Sequence, residues 1–260
     1  MADALFFGEM PDNYEKYLVP NAFVPYAEDL AERVDDGTAI LEIACGTGVV
    51  SALLISQLAD DGHLIVTDIS EEMLRRTRHN VAAAPNVTYQ TADACALPFD
   101  DDQFSDVICG FGAMFFQDKV QGFREIRRVL KPDGKLSLSC WGSLDRNPFG
   151  AVPSAYLSEQ YGEPAQFLQV PFHYHDHDVI SADILAAGFD QVACIDFEVE
   201  QSVDIDELAR GVIFGNPTAN EIRSHGDDPE QVVPEIADRF RQLWGHSAVA
   251  SYCAVMVECR

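Results

Sequence analysis

At 260 residues, nearly half of them apolar, the chain is long enough to bury one sizeable core with insertions and too hydrophobic to be a disordered tail. Its 43 acidic against 17 basic side chains leave a net charge of −26, which argues against nucleic acid or an anionic membrane as partner, because both are polyanions. Seven cysteines without a CxxC pair, a start lacking the basic region of a signal peptide and no apolar run near the roughly 20 residues of a membrane span read as a cytoplasmic protein with reduced thiols.

Residues 1–36 read as an N-terminal helical cap, with Leu18, Phe23, Tyr26, Ala27 and Leu30 at helical spacing before a break at "DDGT". From residue 37 the texture alternates. Strand-type runs at 39–43, 63–67, 87–91, 104–109 and 135–141 are interleaved with helical segments at 47–59, 71–83 and 118–131. This βαβ rhythm predicts a parallel sheet covered on both faces. Ser70 is placed to cap the second of these helices and Asp118 the third, and both helices carry arginines toward their ends. After Trp141 come a Gly-, Pro- and aromatic-rich insertion (142–176), a helix at 178–187, a strand at 191–200, short helices and loops at 204–245 and a last strand at 249–258. Residues 37–260 thus form one α/β domain, and the two insertions, at 142–176 and 204–245, are expected to form a lid.

The first strand ends in "LEIACGTG", a hydrophobic run closing on a carboxylate and a small-residue turn. In a parallel sheet such a turn faces the ligand crevice. A P-loop would need a lysine that is absent, and a dinucleotide fingerprint would need a third glycine where Ser51 stands. The third reading is S-adenosylmethionine, which carries no phosphates. Asp68 at the end of the second strand accepts ribose hydroxyls under either nucleotide reading. Glu42 discriminates better, since it would repel a pyrophosphate but can orient an ammonium. Asp93 and Ala94, in "ADACALPF" after the third strand, can read an adenine edge.

The succession LEIACGTG, TDIS, ADACALPF, FSDVICGFGAMFF and LKPDGKL resembles class I S-adenosylmethionine-dependent methyltransferases, in particular the small-molecule group of ubiquinone/menaquinone-type enzymes. The resemblance is close over about 38–142 and loose elsewhere; Cys45 departs from it, where glycine is commoner. It implies a doubly wound Rossmann-like, seven-stranded, mostly parallel sheet with an antiparallel last strand beside the fifth, plus helical lid insertions. It also implies S-adenosyl-L-methionine as cofactor, with Glu42 and the backbone of Ala44, Gly46 and Gly48 at the methionyl part. Asp68 would hold the ribose, Ile69 and Met73 would flank the adenine, Asp93 and Ala94 would read its edge, and Gly110 would offer its carbonyl to the ammonium. Tyr17, Cys45 and Phe111 complete the implied cofactor contacts.

Methyl transfer from a sulfonium asks the protein for positioning and desolvation, and a base only when the acceptor demands one. The acceptor expected here is a small molecule, apolar or aromatic, from the aromatic content of Tyr14, Tyr17, Phe111, Phe115, Phe116, Trp141 and the insertions. A cofactor-binding protein without turnover and a nicotinamide-dependent oxidoreductase stand as alternatives. No catalytic residue is identifiable, with His173 a weak candidate. "FHYHDHD" at 172–178 places three histidines on alternate positions, but Asp176 or Asp178 there is a natural helix cap, so no metal is expected. The cysteines at 45, 95, 109 and 140 fall near strand ends and read as small buried hydrophobes. The chain is expected to be a monomer or homodimer. Abundant Asp with only four Lys fits a salt-adapted cytoplasm and an ordinary acidic enzyme alike.

Overall fold

A computed structural model describes residues 8–35, 37–81, 84–163, 165–245 and 248–260. The described part of the N-terminal cap expected over 1–36 is helical, in three pieces: a short turn, α1 (Met10–Asn13), a π-helix over Tyr14–Phe23, and α2 (Val24–Glu32). Pro20 lies inside the π-helix and a proline opens α2. Each proline removes a backbone donor, so regular α pairing cannot run through, and the wider i→i+5 ladder takes over. Residues 1–7 of the expected cap lie outside the described residues.

The alternating core follows as β1 (Ala39–Glu42), α3 (Val49–Leu54), β2 (His63–Asp68), α4 (Glu71–Asn80), β3 (Val87–Thr91), β4 (Phe104–Gly110), α5 (Lys119–Val129) and β5 (Leu130–Trp141). The expected caps are made: Ser70 Oγ accepts from the Met73 N–H and Asp118 Oδ1 from the Gln121 N–H. Two bounds move. The helix expected over 47–59 ends at Leu54 and finishes in a 3₁₀ turn, Ile55–Gln57. The strand expected over 135–141 starts earlier, at Leu130, and takes in the "KPDG" segment as a bulge, where the register with β4 shifts between Phe104 and Asp106.

After β5 come α6 (Pro148–Tyr161), α7 (Gln166–Gln169), α8 (His177–Ala186), β6 (Val192–Ser202), α9 (Ile205–Phe214), α10 (Thr218–Ser224), α11 (Pro229–Trp244) and β7 (Val249–Cys259). The seven strands form one sheet in the order β3-β2-β1-β4-β5-β7-β6. The first five are parallel, and β7 enters antiparallel between β5 and β6. β1 is buried at every residue and β4 at all but its last, as strands covered on both faces must be. The strand order reverses between β1 and β4, so the crevice beyond their carboxyl ends is the place for a ligand.

The two insertions are stitched to each other. Arg239 on α11 grips Glu159 on α6, with the shorter contact at 2.5 Å, and Tyr161 donates to Asp227 at 2.9 Å. The Gln166 N–H meets Glu221 at 2.9 Å, and Tyr161 stacks on His225. Together they form one helical layer over the sheet's ligand end.

Candidate functional site

The glycine turn is a backbone device. Ala44, Gly46 and Gly48 have φ of +56°, +58° and +94°, a left-handed path that turns the chain sharply out of β1. It is pinned from three sides. The Gly46 N–H donates to Asp68 Oδ2 at 2.9 Å, Thr77 donates to the Gly46 carbonyl at 2.8 Å, and Asn80 donates to the Thr47 carbonyl at 2.9 Å. A Cβ on Gly48 would lie 2.7 Å from the Thr77 methyl, whereas one on Gly46 would meet nothing within 4 Å. Gly48 therefore closes the turn against α4, and Gly46 faces open space.

The opposite wall leaves β4. Phe111 adopts φ +53°, and a Cβ on Gly112 would sit 2.4 Å from that of Ala44, so only glycine lets the two strand ends meet. Phe111 stacks on Trp141 at 4.2 Å, with Phe23 edge-on to both and Phe149 edge-on to Trp141. Between these walls lies a cavity of about 400 Å³. Ala44, Gly46, Asp68, Ile69, Met73, Asp93, Ala94, Gly110 and Phe111 line it at the strand ends. Met114, Phe115, Phe116, Trp141, Phe149, Phe167, Leu168, Phe172 and Val212 line the rest, so both insertions contribute. Glu42 and Cys45 line a small annex behind the turn, next to Ala44, Gly46 and Gly110.

Two members of the implied cofactor-contact set stand apart. Gly48 lies outside the lining for the packing reason given. Tyr17 does too: its ring lies beneath Lys16 and Arg210. Tyr14, three residues earlier on the π-helix and read from sequence as an acceptor contact, lines both the cavity and the annex. Among the lining residues that the sequence did not single out are Gln117, Gly215 and Asn216. The Asn-Pro dipeptide at 216–217 is a break signal that could have pointed to the last.

The site's electrostatics are those of carboxylates without cations. None of the described lining residues is Lys or Arg. Glu42 is buried and accepts from Ser51 at 2.5 Å; desolvation pushes its carboxyl up to about 8, with the Ser51 bond opposing and the charge of Asp68 adding to the rise. Asp68 accepts from the N–H groups of Gly46 and Ser70, one to each oxygen, and lines the cavity. Asp93 Oδ1 accepts from the Cys95 N–H. Burial, aided by the charge of Asp68, raises the phenol of Tyr14 and keeps it neutral. Burial likewise raises the thiols of Cys45, Cys109 and Cys140, which holds them as inert small hydrophobes.

The histidines do not converge. His173 is exposed and outside the cavity lining. His175 Nδ1 bonds the Phe172 carbonyl at 2.7 Å and His177 Nε2 bonds Asp196 at 2.9 Å. Asp176 caps α8 through the N–H groups of Asp178 and Val179. Among the described residues no group of three potential ligands could hold a metal ion, and no helix is long and apolar enough to cross a membrane.

The acceptor groups suit a nucleoside carrying an ammonium and a positive centre, and a pyrophosphate would meet the Asp68 carboxylate with no cation among the described lining residues to compensate. Residues 40–134 match the family model described as a methyltransferase domain. A demethylmenaquinone methyltransferase of Shouchella clausii is 36% identical over 47% of this chain and 57% of that protein. The ubiquinone/menaquinone biosynthesis C-methyltransferase of an Enterobacter species is 30% identical over 60% of this chain and 68% of that protein. The chain thus spans little more than half the length of the first of these relatives. Among solved structures, the YcgJ protein of Bacillus subtilis superposes with a TM-score of 0.58 at 20% identity, covering 90% of this chain and 97% of that one. A phosphoethanolamine N-methyltransferase of Haemonchus contortus, solved with S-adenosylhomocysteine, gives 0.62 at 16% identity, over 96% of this chain and 56% of that one. At such identities the likeness is one of fold.

Proposed function

The chain belongs to the class I S-adenosylmethionine-dependent methyltransferases, and we propose that it transfers a methyl group to a small, predominantly apolar acceptor. The observation that carries this reading is the continuity of one cavity, from the carboxylates at the strand ends into an aromatic chamber walled by both insertions. The cofactor supplies the electrophilic methyl, and the chain supplies position and dryness. Glu42 and the Gly110 carbonyl orient the ammonium, Asp68 holds the ribose hydroxyls, Ile69 and Met73 flank the adenine, and Asp93 with the Ala94 N–H reads its edge. Phe111, Trp141 and Phe149 keep water from the acceptor's reacting atom.

Titration calorimetry tests the binding half. S-Adenosylmethionine and adenosylhomocysteine should bind at micromolar levels or tighter, with NAD and ATP silent. Tight NAD binding without adenosylhomocysteine binding would overturn the assignment. Incubation of a metabolite pool with methyl-labelled cofactor tests the turnover half. Label that stays on the cofactor despite tight binding would make the chain a binding protein.

A further inference from the structure

The acceptor half of the cavity is apolar with one interruption. Asp68, Ser70 and Asp93 belong to the strand ends, Tyr14 to the junction, and Gln117 is exposed at the rim. Asn216, 8% exposed, is the buried polar side chain that remains among the described lining residues. It stands between α9 and α10 and serves both helix ends. Its Nδ2 donates to the Val212 carbonyl at 2.9 Å, and its Oδ1 accepts from the Thr218 N–H at 2.9 Å, two groups that helix ends leave unpaired. These bonds fix the amide rigidly. They also use only one of its two N–H groups. Beside it the Thr218 hydroxyl is buried with no partner among the described residues. An apolar pocket gains orientation from a few fixed polar groups, and an unpaired buried donor costs free energy until something accepts from it.

We propose that Asn216 is the polar anchor of the acceptor chamber, its second amide N–H donating to a carbonyl or hydroxyl oxygen on an otherwise apolar acceptor. The anchor rests on the methyltransferase reading and deepens it: the acceptor carries an oxygen, and that oxygen lies against the α9–α10 junction. Asn216 is thereby a specificity-determining residue that stays clear of the transferred methyl.

The test compares 1-tetralone with tetralin, a ketone and its parent hydrocarbon, by calorimetry on the adenosylhomocysteine complex. Asn216→Asp keeps the oxygen that accepts from Thr218 and removes the N–H; Asn216→Leu removes both. Each substitution should weaken the ketone about three- to tenfold, the worth of one neutral hydrogen bond, while the hydrocarbon's affinity holds. Unchanged adenosylhomocysteine affinity in both variants shows that the fold stands. If the ratio of ketone to hydrocarbon affinity in both variants equals that of the wild type, the anchor is overturned. A wild-type chain that binds no adenosylhomocysteine overturns the methyltransferase reading instead.

Discussion

Glu42 is the residue whose charge state the fold controls most directly. A carboxyl that titrates at about 8 when folded and at 4.5 when unperturbed binds a proton in the folded chain that the unfolded chain has lost. Its contribution to stability is therefore fully present below about pH 4.5 and is lost as pH rises through about 8. An ammonium placed beside it reverses the preference by stabilising the anion. Adenosylhomocysteine binding near pH 7 should then release a proton, read as a dependence of the binding enthalpy on the buffer's ionisation enthalpy. Glu42→Gln should abolish that dependence; a wild type without it would remove Glu42 from the ammonium site. Asp68 does double duty, holding the glycine turn through Gly46 and facing the cavity. Asp68→Ala should weaken adenosylhomocysteine by about tenfold to a hundredfold, the equivalent of a hydrogen bond to a charged acceptor. The histidines carry the opposite expectation. Single alanine substitutions at His175 and His177 should change turnover less than about fivefold, with EDTA inert, whereas loss of a general base would cost about a hundredfold. A hundredfold loss at either would reinstate the histidine run as machinery.

At the scale of elements, the helical layer over the cavity is one body made from two insertions. Arg239 with Glu159, Tyr161 with Asp227 and Gln166 with Glu221 all cross between them. If the layer closes over the acceptor, hydrogen exchange in 142–176 and 204–245 should slow together when cofactor and acceptor are both bound. Protection rising in one insertion alone would mean that the stitches do not couple them. The core elements beneath were legible in the sequence because each local signal agreed with the next: short β-type runs alternate with helical segments, and Ser70, Asp118 and Asp176 cap the helices they precede. Two features were not legible. Helix α6 carries Pro148, Gly150 and Pro153, a composition that reads as loop; it is helical because Phe149 and Leu157 bury in the core, so tertiary packing overrides propensity. The N-terminal arm misled by phase. A π-helix changes the spacing between residues on one face, so Tyr14 lines the cavity and Tyr17 turns toward Arg210.

For the whole molecule the governing number is the net charge of −26. Surface ion pairs such as Arg210 with Glu230 and Arg241 with Asp206 each contribute little, in the range of about 0–1 kcal/mol. Salt weakens them further, and on that account alone added salt would destabilise the fold. Even if every basic side chain is paired, the excess carboxylates remain, and they repel one another across a compact surface. That repulsion is stronger in the folded chain than in the expanded one, so screening it favours folding. The Debye length falls from about 10 Å at 0.1 M to about 3 Å at 1 M, short enough to quench repulsion between carboxylates on neighbouring elements. Partly buried contacts, such as Lys135 with Asp35 at 2.6 Å, are screened much less. The repulsive term therefore dominates the salt response. The melting temperature should rise steadily between 0.1 and 1 M KCl, measured by calorimetry or dye-monitored unfolding at pH 7. It should rise less at pH 5, where part of the carboxylate charge is already neutralised. A melting temperature that falls with KCl would show that the ion pairs, and not the acidic excess, set the electrostatics of this surface.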